Sequence, residues 1–276
     1  MANATGIFGI NTYSYTLNST AAETIRRLGG QGYPAFELMM YAGHLWPNEL
    51  DDTKKRDIRN AVSSTGTRII SCNMPNIDVN IAGASPEMRR YSLELLTSFV
   101  RLAGELESPS LIIGPGKANP LFAPPRRLLL NHFFAALDEL APVAKEAGVQ
   151  LLVENMPFAF LPDVDSLTAA LDEYGNKDIG IIYDVANAHF INEDPCEGLR
   201  KVQDRLRLVH FSDTGRSVYR HDPVGLGDVP FARVPSVLAE IGYNELPVLE
   251  VISHDPDKDL LDSAQRLAAM GYKARS

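Results

Sequence analysis

The chain has 276 residues, 45% hydrophobic content and a formal net charge of −9. That length supplies a substantial core, in one large α/β domain or two small ones. The acidic balance argues against a nucleic-acid surface, which needs clustered Lys and Arg to release counterions, and the basic run Arg200 to Arg207 alternates with apolar residues as a solvated helix face does.

The chain begins MANATGIFGIN, without a basic stretch leading into a long apolar core. GIFGINTY is a β-rich run, and a helix starting at Thr20 follows, with Gly29 and Gly30 as its stop. AFELMM then leads to a helix around Asp51 to Ser64, RIISCNM to one around Pro86 to Leu106, and SLIIGPG to one around Arg126 to Ala147. QLLVENM precedes a helix near Val164 to Tyr174, and IGIIYDV one near Cys196 to Arg205. LRLVHFSD precedes one near Phe231 to Ile241, and LPVLEVI one near Asp257 to Met270. Apolar strands separated by helices imply parallel pairing with both faces covered, and eight such units without a linker favour a closed barrel. The expectation is a single (β/α)₈ TIM barrel over residues 1–276. A dinucleotide-binding sheet is excluded, because no GxGxxG follows the first strand and Gly225-Leu-Gly227 lies in a late loop. No apolar run approaches the ~20 residues that span a bilayer, and Cys72 and Cys196 give no disulfide framework. A cytoplasmic protein without a membrane partner is expected, with a homo-oligomer left open.

Four of the late strand segments end in metal-ligand residues: Glu154 in LLVENMP, Asp184 in IGIIYDVANAH, His210 in LRLVHFSD and Glu250 in LPVLEVIS. In a barrel the chemistry sits at the C-terminal strand ends, where these four would converge. Each has an ordinary alternative: Glu154 a cap on the next turn or a partner for a Lys, Asp184 a helix N-cap, His210 a satisfied core histidine, Glu250 a partner for a nearby Arg. Together on consecutive strands they read as one oxygen-rich site for a divalent ion such as Mn²⁺, with Mg²⁺, Co²⁺ or Zn²⁺ as alternatives.

With these residues in view, the chain resembles the sugar phosphate isomerase/epimerase family of xylose-isomerase-like TIM barrels, relatives of ketose 3-epimerases, inosose and dehydroshikimate dehydratases and the apurinic endonuclease IV. The likeness covers nearly the whole chain and rests on FELMM, VNIAGASPEMRRYSLELL, LIIGPG, VENMP, DVANAH, VHFSD, RHDPVGLGD and LEV. It implies that Glu154, Asp184, His210 and Glu250 hold the metal and that Glu154 and Glu250 move protons. Departures separate the relatives. Gly114 stands where endonuclease IV carries a strand-four His, and Tyr219 stands where it carries the Asp of an Asp-Arg-His triplet. A three-metal phosphodiesterase is therefore not expected. Asn187 replaces the His that many sugar relatives carry three residues after the strand-six Asp, leaving Asn187 or His189 as the substrate contact.

Such a site acidifies the carbon between a bound carbonyl and hydroxyl, and two carboxylates can remove a proton and return one. The expected function is isomerisation or epimerisation of a small carbohydrate or related polyol. The alternatives are a lyase acting on an inosose, a dehydroshikimate-like acid or a 3-keto-glycoside, and a barrel that binds carbohydrate without turnover. Glu37, Trp46, Arg220 and His221 join Asn187 and His189 as expected substrate contacts. Tyr41, His44 and Arg216 are further loop candidates, and Asn11, Tyr13, Asn73 and Asn155 are plausible polar lining.

Overall fold

The computed structural model describes residues 4–76 and 78–273. Eight strands, β1 (Gly9–Asn11), β2 (Ala35–Met39), β3 (Arg68–Asn73), β4 (Ser110–Ile113), β5 (Gln150–Glu154), β6 (Gly180–Asp184), β7 (Leu206–Phe211) and β8 (Val248–Leu249), pair in chain order. All pairs are parallel, and β8 returns to β1 with Gly9 opposite Val248, so the sheet closes without an edge. The outer layer carries α1 (Ala21–Gly30), α2 (Asp52–Thr65), α3 (Pro86–Glu105), α4 (Arg126–Ala147), α5 (Val164–Tyr174), α6 (Val185–Phe190), α7 (Pro195–Val202), α8 (Val234–Glu240) and α9 (Pro256–Ala269).

Local chemistry sets the helix limits. Thr20 accepts from Glu23 N while the Glu23 carboxylate accepts from Thr20 N, a reciprocal capping box at the start of α1. Asp51, Ser85, Asp163 and Asp194 cap α2, α3, α5 and α7 in the simpler way. Gly66 and Gly148 end α2 and α4 at φ of 66° and 71°, a left-handed conformation that glycine reaches without steric cost.

Two elements depart from the sequence reading. The segment after β6 contains α6 before α7, because Asp184 caps a helix directly as the strand ends. The helix expected near Phe231 to Ile241 divides into a 3₁₀ turn, Phe231–Arg233, and α8.

The strand period of two sorts the core. Val153, Tyr183, Val209 and Leu249 point outward into the large apolar layer between strands and helices. Ile112, Leu152, Ile182 and Leu208 point inward as one cluster, and Ala35, Ile70 and Val248 form a second inner cluster. These inner clusters floor the C-terminal mouth of the barrel.

Candidate metal centre and its cavity

Two residues beyond Leu152, Ile182, Leu208 and Val248 lie Glu154, Asp184, His210 and Glu250. The same alternation that turns the four apolar side chains inward turns the four polar ones inward one layer higher. Each offers one ligand atom, and these atoms lie within 4.8 Å of one another. All four residues are buried.

His210 is the centre of charge. Its Nδ1 lies 3.0 Å from Glu250 Oε2, 3.5 Å from Glu154 Oε1 and 3.9 Å from Asp184 Oδ2, while Nε2 lies 2.9 Å from Glu37 Oε1. These are ion-pair approaches rather than aligned hydrogen bonds: Asp184 Oδ2, Glu250 Oε2 and both His210 nitrogens are buried without a hydrogen-bond partner. Burial alone would lower the His210 pKa, but Glu37 and Glu250 outweigh it and hold the imidazole well above its ordinary value. Burial pushes Glu154 up. It also takes Asp184 up to about 6, with His221 opposing and Glu250 adding to the rise.

Three carboxylates and an imidazole at ligand spacing, with unpartnered buried atoms turned toward one another, fit a divalent cation. A cation there relieves the repulsion that otherwise only a proton relieves. Each carboxylate is also anchored. Asp184 Oδ1 accepts from the Ala186 and Asn187 amides at 2.7 and 2.8 Å, so the N-cap role and the inward role belong to different oxygens of one side chain. Asn11 Nδ2 donates to Glu250 Oε1 at 3.1 Å, and Asn187 Nδ2 to Glu154 Oε1 at 3.2 Å.

A cavity of about 210 Å³ opens beside the cluster, lined by Glu154, Asn187, Tyr219, His221 and Glu250 together with Tyr13, Asn73, Lys117 and an apolar wall that includes Met39, Met156 and Phe158. Larger hollows of about 590 and 690 Å³ lie among the outer helices and hold none of the four residues. Gly114 bears on the shape of this cavity: a Cβ there would stand 2.6 Å from Asn76 Oδ1 and 3.0 Å from Met156 Sδ. A side chain at the strand-four position would therefore require Asn76 and the two methionines, Met74 and Met156, to move.

Among the expected substrate contacts, Asn187 and His221 line the cavity. The four others lie outside its lining. Glu37 is fully buried behind His210 and is held by Ser71, Asn73 and Asn11 at 2.6, 3.0 and 2.6 Å. Burial opposes its charge, but His210 and these donors keep its carboxyl below the ordinary value. Trp46 packs edge-on against Phe99, with ring centroids 5.2 Å apart, at the border of the outer core. His189 Nε2 meets Asp228 Oδ1 at 2.7 Å, away from the cavity. Arg220 is exposed and faces Asp222.

Of the weaker loop candidates, His44 is buried between Thr12 Oγ1 and the Ser19 carbonyl, and Arg216 is exposed. Asn155 exchanges two hydrogen bonds with the Asp184 backbone and so fixes β5 against β6 at the site. Tyr219 and Lys117 were not among the expected contacts. Both lie in βα loops, where no periodicity marks an inward side chain. Tyr219 packs against Phe158 and Phe190, with centroids 5.3 and 5.2 Å away, and its hydroxyl reaches Asn187.

The fold and cluster together define a closed (β/α)₈ barrel with a group at its C-terminal mouth that can hold a metal ion. Residues 25–270 match the model of the xylose isomerase-like TIM barrel family, and the chain belongs to that family. It is 24% identical over 252 residues to an uncharacterised protein of Methanocaldococcus jannaschii, covering 88% of this chain and 83% of that one. It is 22% identical over 219 residues to the L-ribulose-5-phosphate 3-epimerase of Shigella boydii, covering 78% and 76%. The crystal structure of a D-tagatose 3-epimerase-like protein superposes with a TM-score of 0.82 over 95% of this chain and 96% of that one, at 22% identity, a likeness of fold. Among the described residues, no helix is long and apolar enough to cross a membrane.

Proposed function

We propose that this protein is a divalent-metal-dependent epimerase or isomerase of a small sugar or sugar-like carbonyl compound. Glu154, Asp184, His210 and Glu250 are its metal ligands, and Glu154 and Glu250 its proton-moving pair. The observation that carries this reading is the pairing of a four-residue ligand cluster with a cavity that both Glu154 and Glu250 line. The relative that acts on L-ribulose 5-phosphate and the fold neighbour similar to D-tagatose 3-epimerase support the same class of chemistry.

When bound, the ion supplies Lewis acidity that polarises a carbonyl and acidifies the neighbouring C–H. The rest falls to the chain. Glu154 and Glu250 come from β5 and β8, three strands apart, so a substrate lying between them meets a carboxylate from each side. One takes the proton from carbon, and the other returns one to the opposite face of that carbon or to its neighbour. Asn187 and His221 supply the polar contacts to hydroxyls, and the apolar wall packs against the carbon skeleton. The cavity of about 210 Å³ is smaller than the roughly 300–1,000 Å³ of drug-sized pockets, which limits the substrate to about one sugar unit.

The test is an NMR screen of ketoses, keto-inositols and 3-keto-glycosides in D₂O, with the protein loaded with Mn²⁺ and substrate and products followed after chelation. Deuterium should enter a carbon next to the carbonyl at a rate comparable to turnover, with the substrate's mass otherwise unchanged. Loss of water or of an alcohol, without a deuterated epimer or isomer, would replace this reading with a lyase.

A further inference from the structure

Outside the metal cluster, four buried side-chain atoms among the described residues have no hydrogen-bond partner: Tyr33 Oη, Thr168 Oγ1, His189 Nδ1 and Asn73 Oδ1. Of these residues Asn73 alone lines the cavity, and it is only 3% exposed. Its backbone is fixed on both sides. Asn73 ends β3 in register with Met39 of β2 and Ile112 of β4, and its carbonyl accepts from Met40 N at 2.8 Å.

The side chain is oriented from behind. The strand period of two turns Ser71 and Asn73 to one face, where both reach Glu37. Asn73 Nδ2 donates to Glu37 Oε1 at 3.0 Å, and Asn11 Nδ2 donates to the same oxygen at 2.6 Å. An amide carbonyl has no hydrogen to give a carboxylate oxygen, so the NH₂ end of Asn73 is the one that meets Glu37. Oδ1 is then the polar end left for the cavity. The wall beside it is Met39, its register partner, and Met74, the next residue, with Met156 also in the lining. None of these side chains carries a hydrogen to donate. A buried acceptor in such surroundings is satisfied by a donor that the ligand brings, and its cost is felt when the ligand lacks one.

We infer that Asn73 is a specificity-determining residue: its Oδ1 accepts a hydrogen bond from one hydroxyl of the substrate, away from the reacting carbon. The inference rests on the epimerase or isomerase reading above for what enters the cavity. The contact has a direction. An O–H satisfies Oδ1, whereas a hydrogen, a methyl group or an ether or ester oxygen at the same point leaves it bare. The substrate therefore carries a free hydroxyl at this position, neither deoxygenated nor substituted on oxygen.

The test uses the full chain at saturating Mn²⁺ and reads deuterium uptake in D₂O. The compound that exchanges fastest among the ketohexoses, keto-inositols and 3-keto-glycosides is compared with its deoxy analogues, each lacking one hydroxyl away from the reacting carbon. For one analogue kcat/KM should fall by ~10-fold or more, because Oδ1 is left buried and bare, and the O-methyl ether at that carbon should fare no better. Asn73→Leu keeps the side-chain shape and removes the acceptor. It should lower kcat/KM for the parent compound by ~10-fold or more while leaving that one deoxy analogue nearly unchanged, so discrimination is lost at this hydroxyl and kept at the others. A role for Asn73 only in holding Glu37 would lower both compounds alike. A crystal structure of the Glu250→Gln protein with the parent compound should place a hydroxyl within hydrogen-bond distance of Oδ1, a readout that does not depend on Asn73→Leu folding. Equal losses for parent and analogue, a wild type indifferent to every single hydroxyl, or a bound sugar with no hydroxyl at Oδ1 would overturn the inference and leave the epimerase or isomerase reading intact. No exchange from any compound of the panel would end the reading and the inference together.

Discussion

The charge arrangement at the barrel mouth predicts how metal affinity depends on pH. In the metal-free protein at pH 7, the His210 imidazole carries a proton, because its pKa is held well above the ordinary value. Asp184, raised to about 6, is mostly ionised at that pH. A cation bound through His210 Nδ1 must therefore displace about one proton, and affinity should rise with pH by up to about tenfold per unit above pH 6. Below pH 6 Asp184 also takes up a proton, a second one must leave, and the slope should approach about a hundredfold per unit.

The sign carries over to folding. Asp184 has a folded pKa above its unfolded value of 3.8, so in the metal-free protein its contribution is most favourable below pH 3.8 and is lost as pH rises through about 6. Added Mn²⁺ should therefore stabilise the protein far more at pH 8 than at pH 5. Isothermal titration of chelator-stripped protein with Mn²⁺ in buffers of different ionisation enthalpy reads the affinity and the released proton together. A pH-independent affinity, or binding without proton release at pH 7, would refute the placement of His210 as a protonated counter-charge that a metal replaces.

Two substitutions separate the reaction from the architecture. Glu250→Gln keeps the size and one oxygen, which can serve either Asn11 or the ion, while removing the base, so turnover at saturating metal should fall by on the order of 10² or more with the fold retained; wild-type-like turnover would remove Glu250 from the proton-moving pair. Glu37→Gln takes away the buried charge 2.9 Å behind His210 and sets an NH₂ against the donors Ser71, Asn73 and Asn11, a loss of about 3 kcal/mol in the metal-free protein. Melting followed by circular dichroism should show a drop of several degrees, and because the Glu37 carboxyl is held low, that stabilisation should be present above pH 4.5 and fade as pH falls below it.

The parts legible in the sequence were those that periodicity controls. Strand–helix alternation gave the barrel, and the strand period of two brings Glu154, Asp184, His210 and Glu250 together one layer above Leu152, Ile182, Leu208 and Val248. Loop residues have no such period. Trp46 and Arg220 looked like substrate contacts by residue type, yet one joins the edge of the outer core and the other stays in solvent. Asn187 and His189 were inseparable in sequence, and the choice between them depends on α6: Asn187, whose backbone amide helps cap Asp184, projects to Glu154, while His189 turns toward Asp228. Glu37 lies at the expected end of β2 and is buried behind His210, outside the cavity lining. The register shift between Phe36 and Glu37 sets it opposite Ser71, a detail residue order does not carry.

That position of Glu37 clarifies why the cluster holds its shape with four carboxylates around one imidazole. Ser71, Asn73 and Asn11 hold Glu37 away from the cavity, with its Oε1 against His210 Nε2. Nδ1 is left for the three carboxylates on the other side, the arrangement in which a carboxylate behind a histidine fixes its ring for a metal in front. The carboxylates of the cluster follow a matching rule. Asp184 is tied by the α6 amides through Oδ1, and Glu250 by Asn11 through Oε1, and in each the second oxygen is buried and unpartnered. Tethering one oxygen by neutral donors lets the other stay open, so the network around Asn11, Asn187 and the start of α6 is as necessary to the site as the four residues that face one another within it.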